Sequence, residues 1–317
     1  MEKTSIILDV DTGVDDAFAV LFAARHPQIN LLGITCVDGN TNVDQVIANT
    51  FKVLDAAGVG DIPVARGAVR PLLGKSEYAE YVHGADGMGD LGIAPSHRKV
   101  DSRSAIELIR DLIEESEDPV TLIPIAPLTN IALFLRAFPE TAKKLHRIVL
   151  MGGSASAGNA TAAAEFNIWH DPEAAAIVFQ SGVPITMYGL DVFMRPGATS
   201  EDATTLLQSS EPAAQFAGTL IAAFIERLHV SPITLGDYGA VACAIRPELF
   251  TTEIFDVVVD TSQGPARGQT ICDRRAPFLK ALEPNDLTDA ASVRVVLDLD
   301  VEAVQQLWFE TIEKGWL

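Results

Sequence analysis

Four aspartates, Asp9, Asp11, Asp15 and Asp16, stand within eight positions in the string IILDVDTGVDD, where an apolar run of strand character ends and a helical pattern begins. At an effective dielectric near 20, two carboxylates about 4 Å apart repel by about 4 kcal/mol, so such a cluster needs protons or a cation. No Cys or His accompanies these aspartates, which points to a hard cation with oxygen ligands, Ca²⁺ or Mg²⁺. Helix capping accounts for Asp15 or Asp16 taken singly. It does not account for all four together.

The elements that must position this cluster follow from periodicity. Strand-like apolar runs recur at residues 5–8, 30–36, 120–125, 147–151 and 184–188, and between them apolar residues fall at i, i+3, i+4 spacing. The spacing predicts helices over 16–25, 43–57, 102–115, 128–138 and 172–180, with Pro27, Gly58 and Pro139 as stop signals. This alternation predicts an α/β fold with a doubly wound, mostly parallel central sheet and flanking helices. In such a sheet the aspartate-rich junction lies at the carboxyl edge, where ligands bind. Residues 199–228 read as a helical insert, 256–299 as additional and perhaps antiparallel strands, and 301–314 as a last helix. The Gly- and Ala-rich stretch 152–164 reads as one long loop, of the kind that carries function in compact α/β domains. The expectation is a single domain over residues 1–317.

Composition excludes several classes. The chain of 317 residues is 48% hydrophobic, but its apolar runs fall well short of the ~20 residues of a membrane span. The net charge of −20, from 23 basic and 43 acidic residues, opposes a nucleic-acid partner, whose binding depends on Lys and Arg displacing counterions. Cys36, Cys243 and Cys272 are not paired at metal-ligand spacing and read as buried thiols of a reducing compartment. The opening Met1-Glu2-Lys3 runs straight into the first strand without the pattern of a secretory signal, so a cytoplasmic location is expected.

The opening string resembles the D-x-D-P-G-x-D-D-A motif of the inosine-uridine-preferring nucleoside hydrolase family, with Thr12 in place of the proline. Further motifs of that family follow in order over nearly the whole chain: VDGN ending at Asn40, HGADGMGD from His83, LTNIA from Leu128, LMGG from Leu150, GNATAAAEFN from Gly158 and DPEAA from Asp171. The resemblance implies hydrolysis of the N-glycosidic bond of a ribonucleoside, with Asp11, Asp16 and Asp237 as carboxylate ligands to Ca²⁺ and the backbone carbonyl of Ile125 beside them. It implies Asp15 as the general base for a Ca²⁺-bound water that attacks C1′ of the ribose. Asn40, Asn159, Glu165 and Asn167 are then ribose-binding residues with Met151 packed beside them, and Asp9 supports the metal ligands from behind. Taken singly, an Asn in a Gly-rich stretch is a turn residue, and Ile125 is an ordinary strand residue. A homodimer or homotetramer is expected by the same analogy.

One departure bears on the leaving group. Well-known members of the family place a histidine just before the last aspartate ligand to protonate the departing base, and here that position is Gly236 in LGDYGAVACAI. His83 is the first substitute, with His229, Tyr238 or aromatic stacking as others, while Tyr78, Tyr81 and Trp169 are either pocket walls or packing. His229 reads equally well as a residue satisfying carbonyls at a helix C-terminus. Two rival readings stand beside this one. In a phosphatase of the haloacid-dehalogenase type, Asp9 of ILDVDTG would be the nucleophile; in a non-enzymatic protein, the site would bind nucleoside or Ca²⁺ without turnover.

Overall fold

The structure is a computed structural model and describes residues 3–282 and 289–314. Its strands are β1 (Thr4–Val10), β2 (Ile29–Cys36), β3 (Val64–Arg66), β4 (Val120–Pro124), β5 (Arg147–Met151), β6 (Ile185–Tyr188), β7 (Gly197–Ala198), β8 (Ile233–Thr234), β9 (Phe250–Val259), β10 (Thr270–Cys272) and β11 (Ala291–Leu299). Nine of them form one sheet in the order β10-β9-β11-β6-β5-β4-β1-β2-β3. The pairs from β3 through to β11 are parallel, and β9 and β10 close the far edge in antiparallel fashion. The strands β7 and β8 make a separate antiparallel pair.

β1 sits inside the sheet between β2 and β4, and its residues from Ser5 to Val10 are all buried. A strand with helices on both faces has no solvated side, which is why Ile6, Ile7 and Leu8 run without polar alternation. One face of the sheet is covered by helices Val14–Arg25, Val43–Ala57, Pro212–Leu228, Tyr238–Ile245 and Val301–Lys314, the other by Ala105–Glu115, Thr129–Ala137 and Pro172–Phe179. The chain leaves β1 toward β2 on one side and returns to β4 on the other, so a crevice opens at the carboxyl ends of β1 and β4.

The predicted α/β architecture is the observed one, including antiparallel strands near the C-terminus. The 199–228 stretch divides into helices Ser200–Leu207 and Pro212–Leu228, broken where Pro212 takes the first helical position after Glu211. Several elements lay outside the expectation, among them the short helices Glu80–His83, Phe166–His170 and Leu190–Phe193 and the pair β7 and β8. β3 has only three residues, too few to show alternation. Helix Tyr238–Ile245 is buried on almost every side and therefore carries no amphipathic period. Among the described residues, no helix is long and apolar enough to cross a membrane.

Candidate active site

β1 ends at Val10, and the chain turns through 11–13 into helix Val14–Arg25. Asp16, in the first turn of that helix, closes the bend: its carboxylate accepts from the Gly13 amide (2.9 Å), the Asp11 amide (3.2 Å) and Asn40 Nδ2 (3.2 Å). Asp11 is gripped from the bend after β2, where Asn40 N–H donates to its Oδ2 at 2.7 Å. The carboxylate lies directly on the chain at Gly39, where a Cβ would fall 2.1 Å from Oδ2, so only glycine fits there.

Beneath them Asp9 is sealed from solvent and accepts hydrogen bonds from Thr35 Oγ1 and Asn130 Nδ2. Burial pushes its carboxyl up to about 7 despite those bonds.

Above this turn opens a cavity of about 300 Å³, the size of a site for a small organic ligand. Asp11, Asp15, Asn40, His83, Ile125, Met151, Asn159, Glu165, Asn167 and Asp237 all line it. The candidate residues thus converge; Asp16 is fully buried and not part of the lining, but its carboxylate adjoins it. One carboxylate oxygen from each of Asp15, Asp16 and Asp237 falls within a 4.8 Å cluster. Burial, then repulsion by Asp16, holds Asp11 well above the usual carboxylate range; burial, then Asp15, raises Asp16 to about 7; burial, then Asp15, Asp16 and Asp11, raises Asp237.

No Lys or Arg pairs with any of them among the described residues. Asp237, only 4% exposed, has no side-chain hydrogen bond among the described residues, yet its oxygens are not sealed. An unpaired carboxylate that nearly buried is costly unless a cation meets it. The donor set, carboxylates with the Ile125 carbonyl beside them, fits a hard divalent ion.

The loop 152–164 brings polar groups to the lining. Glu165 fastens its base: Oε2 accepts from the Gly153 amide (2.8 Å) and the Ile168 amide (3.2 Å), and Oε1 from the Asn167 amide (2.9 Å). Burial raises its carboxyl to about 7. Asn167 Nδ2 donates toward the carbonyls of Ile125 and Met151, each at 3.2 Å, which ties the strand ends together. Asn159 caps the turn with Oδ1 on the Phe166 amide at 2.9 Å.

The other end of the cavity is apolar, with Phe166, Phe193, Phe224, Leu228 and Ile233 on its walls and Tyr81, 72% exposed, at its mouth. His83 stands where the two ends meet. The Val14 N–H donates to its Nδ1 at 3.3 Å, and Asp15 Oδ1 lies 3.9 Å from the same nitrogen. Burial lowers the pKa of His83, Asp15 opposes that and Arg227 adds to it. A ring that accepts at Nδ1 carries its proton on Nε2 when neutral. That nitrogen has no hydrogen-bond partner among the described residues and is not sealed, so it opens to the cavity the ring lines.

Gly236 has φ +52°, and a Cβ there would meet Phe193 Cζ at 2.7 Å and Asp15 Cβ at 3.0 Å. Thr234 Oγ1 donates to the Phe193 carbonyl and accepts from the Gly236 amide, pinning the two together. The place of a side chain at 236 is filled by the Phe193 ring.

Several residues weighed in the sequence fall elsewhere. Tyr238 is a core residue whose hydroxyl donates to the Val304 carbonyl at 2.7 Å and whose ring packs on Phe22, so it does not face the cavity. His229 is the left-handed C-cap of helix Pro212–Leu228 and is not part of the lining, nor are Tyr78 and Trp169. The phosphatase reading fails on Asp9, which is buried and bonded beneath the floor and cannot be a nucleophile.

Residues that sequence reasoning missed include Asn130, whose motif was visible but whose three bonds, to Asp9, the Cys36 carbonyl and the Ala68 amide, were not. Phe193 and Phe224 carried no local signal at all.

The family model for the inosine-uridine preferring nucleoside hydrolase matches residues 6–306. A pyrimidine-specific ribonucleoside hydrolase RihA of Shewanella sp. (strain MR-7) is 40% identical over 275 residues, covering 85% of this chain and 86% of that relative. The pyrimidine-specific ribonucleoside hydrolase RihB of Escherichia coli O9:H4 (strain HS) is 37% identical, covering 86% and 88%. Among solved structures, a plant nucleoside hydrolase, PpNRh1, superposes with a TM-score of 0.90 at 30% identity over 98% of this chain and 99% of that one. A purine-preferring ribonucleoside hydrolase from Gardnerella vaginalis superposes with a TM-score of 0.87 at 33% identity over 98% of each.

Proposed function

The chain belongs to the inosine-uridine preferring nucleoside hydrolase family and is a ribonucleoside hydrolase, and on that premise we propose how its residues divide the work. Asp11, Asp16, Asp237 and the carbonyl of Ile125 hold Ca²⁺. When bound, that ion neutralises the carboxylates and supplies the acidification of a water that hydrolysis requires. Asp15 takes the proton of the water that attacks C1′ of the ribose, and the C1′–N bond breaks as the C1′–O bond forms. The negative floor favours the positive charge that develops on the sugar, as in other glycoside cleavage. Asn40, Asn159, Glu165 and Asn167, with Met151 beside them, hold the ribose hydroxyls. His83 gives its Nε2 proton to the departing base, in the role that Gly236 cannot fill.

The observation that carries this reading is the Asp237 carboxylate, nearly buried and unpaired, facing Asp15 and Asp16 across a few ångströms. The test is release of reducing sugar from inosine, adenosine, guanosine, uridine and cytidine, with and without chelator. Ribose release that stops on chelation and returns with Ca²⁺ supports the reading; full turnover after metal stripping rejects it. Relatives about 40% identical are named pyrimidine-specific, so uridine and cytidine are expected to lead the series. A cytoplasmic, single-domain homodimer or homotetramer completes the proposal, and sedimentation of the purified protein reads its assembly.

A further inference from the structure

We propose that Arg227 is the positioning residue that holds His83 against the apolar end of the cavity. The inference rests on the reading of His83 as the leaving-group acid.

Helix Pro212–Leu228 sends Phe224 and Leu228 to the cavity wall, and Arg227 stands in its last turn. The guanidinium forks: Nη1 donates to Asp90 Oδ2 at 3.2 Å, and Nη2 donates to the Glu80 carbonyl at 2.9 Å. Those two acceptors flank His83 in the chain. Between them lies a short helix, Glu80–His83, and a tight turn in which the Gly89 amide donates to the His83 carbonyl at 2.7 Å. The turn is braced internally, with the Asp90 amide on Asp86 Oδ1 and the Asp86 amide on Asp90 Oδ1, and Asp90 itself is left-handed at φ +59°. Asn49 Nδ2 ties it downward, donating to the Asp86 carbonyl at 2.7 Å and to the Thr12 carbonyl at 3.1 Å.

The same helix holds the His83 ring itself, which stacks on Phe224 with centroids 5.9 Å apart and planes 18° off parallel. Arg227 therefore grips both flanks of a residue whose ring its own helix already supports. A fork with one acceptor on either side of His83 sets orientation in a way a lone ammonium cannot.

The Arg227 and Asp90 side chains are 32% and 45% exposed, and exposed ion pairs add little to stability. Loss of the fork should thus leave the fold standing while the acid drifts, and a displacement of about 1 Å near the reacting atoms costs up to about 100-fold in rate. The dependence on leaving group separates the two effects. A ribonucleoside needs its base protonated as the glycosidic bond breaks, whereas a p-nitrophenyl riboside departs as a stable phenolate without an acid.

The experiment compares His83→Ala, Arg227→Met, Arg227→Lys, Asp90→Asn and the His83→Ala/Arg227→Met double variant on uridine and on p-nitrophenyl riboside, with Tm measured for each. His83→Ala should lower kcat on uridine by roughly 10²–10⁴ and spare the nitrophenyl substrate. Arg227→Met should lower kcat on uridine by about 10-fold to 100-fold, leave KM and the nitrophenyl rate within about twofold, and add nothing in the His83→Ala background. Arg227→Lys and Asp90→Asn, each keeping part of the clasp, should fall between.

Full uridine turnover in Arg227→Met, equal losses on both substrates, or an additive loss in the double variant would each overturn the proposal for Arg227 while leaving His83 intact. Undiminished turnover of uridine by His83→Ala would instead remove the acid reading on which the proposal stands.

Discussion

The two ends of the cavity are made of different material. The acidic floor hangs from strand ends inside the sheet, and its carboxylates are held by backbone amides: Asp11 by Asn40, Asp16 by Gly13 and Asp11. The apolar end is assembled from a short helix, a helix terminus and the segment 228–236, with Tyr81 and Met194 largely exposed. A rigid scaffold carries the groups whose spacing the reaction cannot vary, while connecting segments carry those that meet the variable part of a substrate. The acidic groups therefore sit at the strand ends, and the apolar wall on the segments beside them.

Substitutions can break that contrast. The largest effect is expected from Asp11→Ala, which removes a floor carboxylate and frees the Asn40 amide: tight Ca²⁺ binding and turnover should both vanish, and unchanged affinity by calorimetry would exclude this ligand set. Asp15→Asn should leave a calorimetrically measurable Ca²⁺ site but lower kcat by roughly 10²–10⁴; an undiminished rate would reject Asp15 as the base.

Gly236→Ala probes the seam between the two ends. The left-handed backbone and the clash with Phe193 and Asp15 should cost about 1–3 kcal/mol of stability and disturb Asp15. Adding Phe193→Ala should recover part of the lost activity. Chemical denaturation and assay of both variants read this directly, and a neutral Gly236→Ala would show that the seam is loose.

A smaller effect concerns pH. Burial disfavours the charge of Glu165 and raises its carboxyl from the ordinary 4.5 to about 7 in the fold. A carboxyl raised on folding contributes stability that is fully present below pH 4.5 and is lost as the pH climbs through 7. Glu165→Gln should therefore show a flatter Tm profile across that window, and parallel profiles would contradict the burial argument.

Most of the floor was legible before the fold was known. The string around Asp9–Asp16 announces a strand end with too much charge for a helix cap, and the apolar alternation places that end at the sheet edge. The distances of partners in space were not legible. Asp237 lies more than 200 positions from Asp16, and only the family resemblance linked them. Asn130, two residues into LTNIA, carries no mark of its bond to Asp9.

The apolar end was read poorly, for a physical reason. Phe193 and Phe224 look like packing residues because they are packing residues, and their closeness to Gly236 and His83 arises from long-range contacts. The missing histidine at 236 was visible as a departure. That the Phe193 ring occupies the place of a side chain there needed the fold. Tyr238 failed as an acid since the helix it starts is buried on nearly every side, which no period reveals.

The neighbourhood of β1 and β4 carries a further consequence. Asp11 and Ile125 emerge from hydrogen-bonded adjacent strands, with the Ile125 amide on the Asp9 carbonyl at 2.9 Å, so the gap between them follows the ladder spacing of about 4.8 Å. An ion seated across that gap would brace the middle of the molecule as a keystone braces an arch. Occupancy and melting temperature would then rise together with ion concentration.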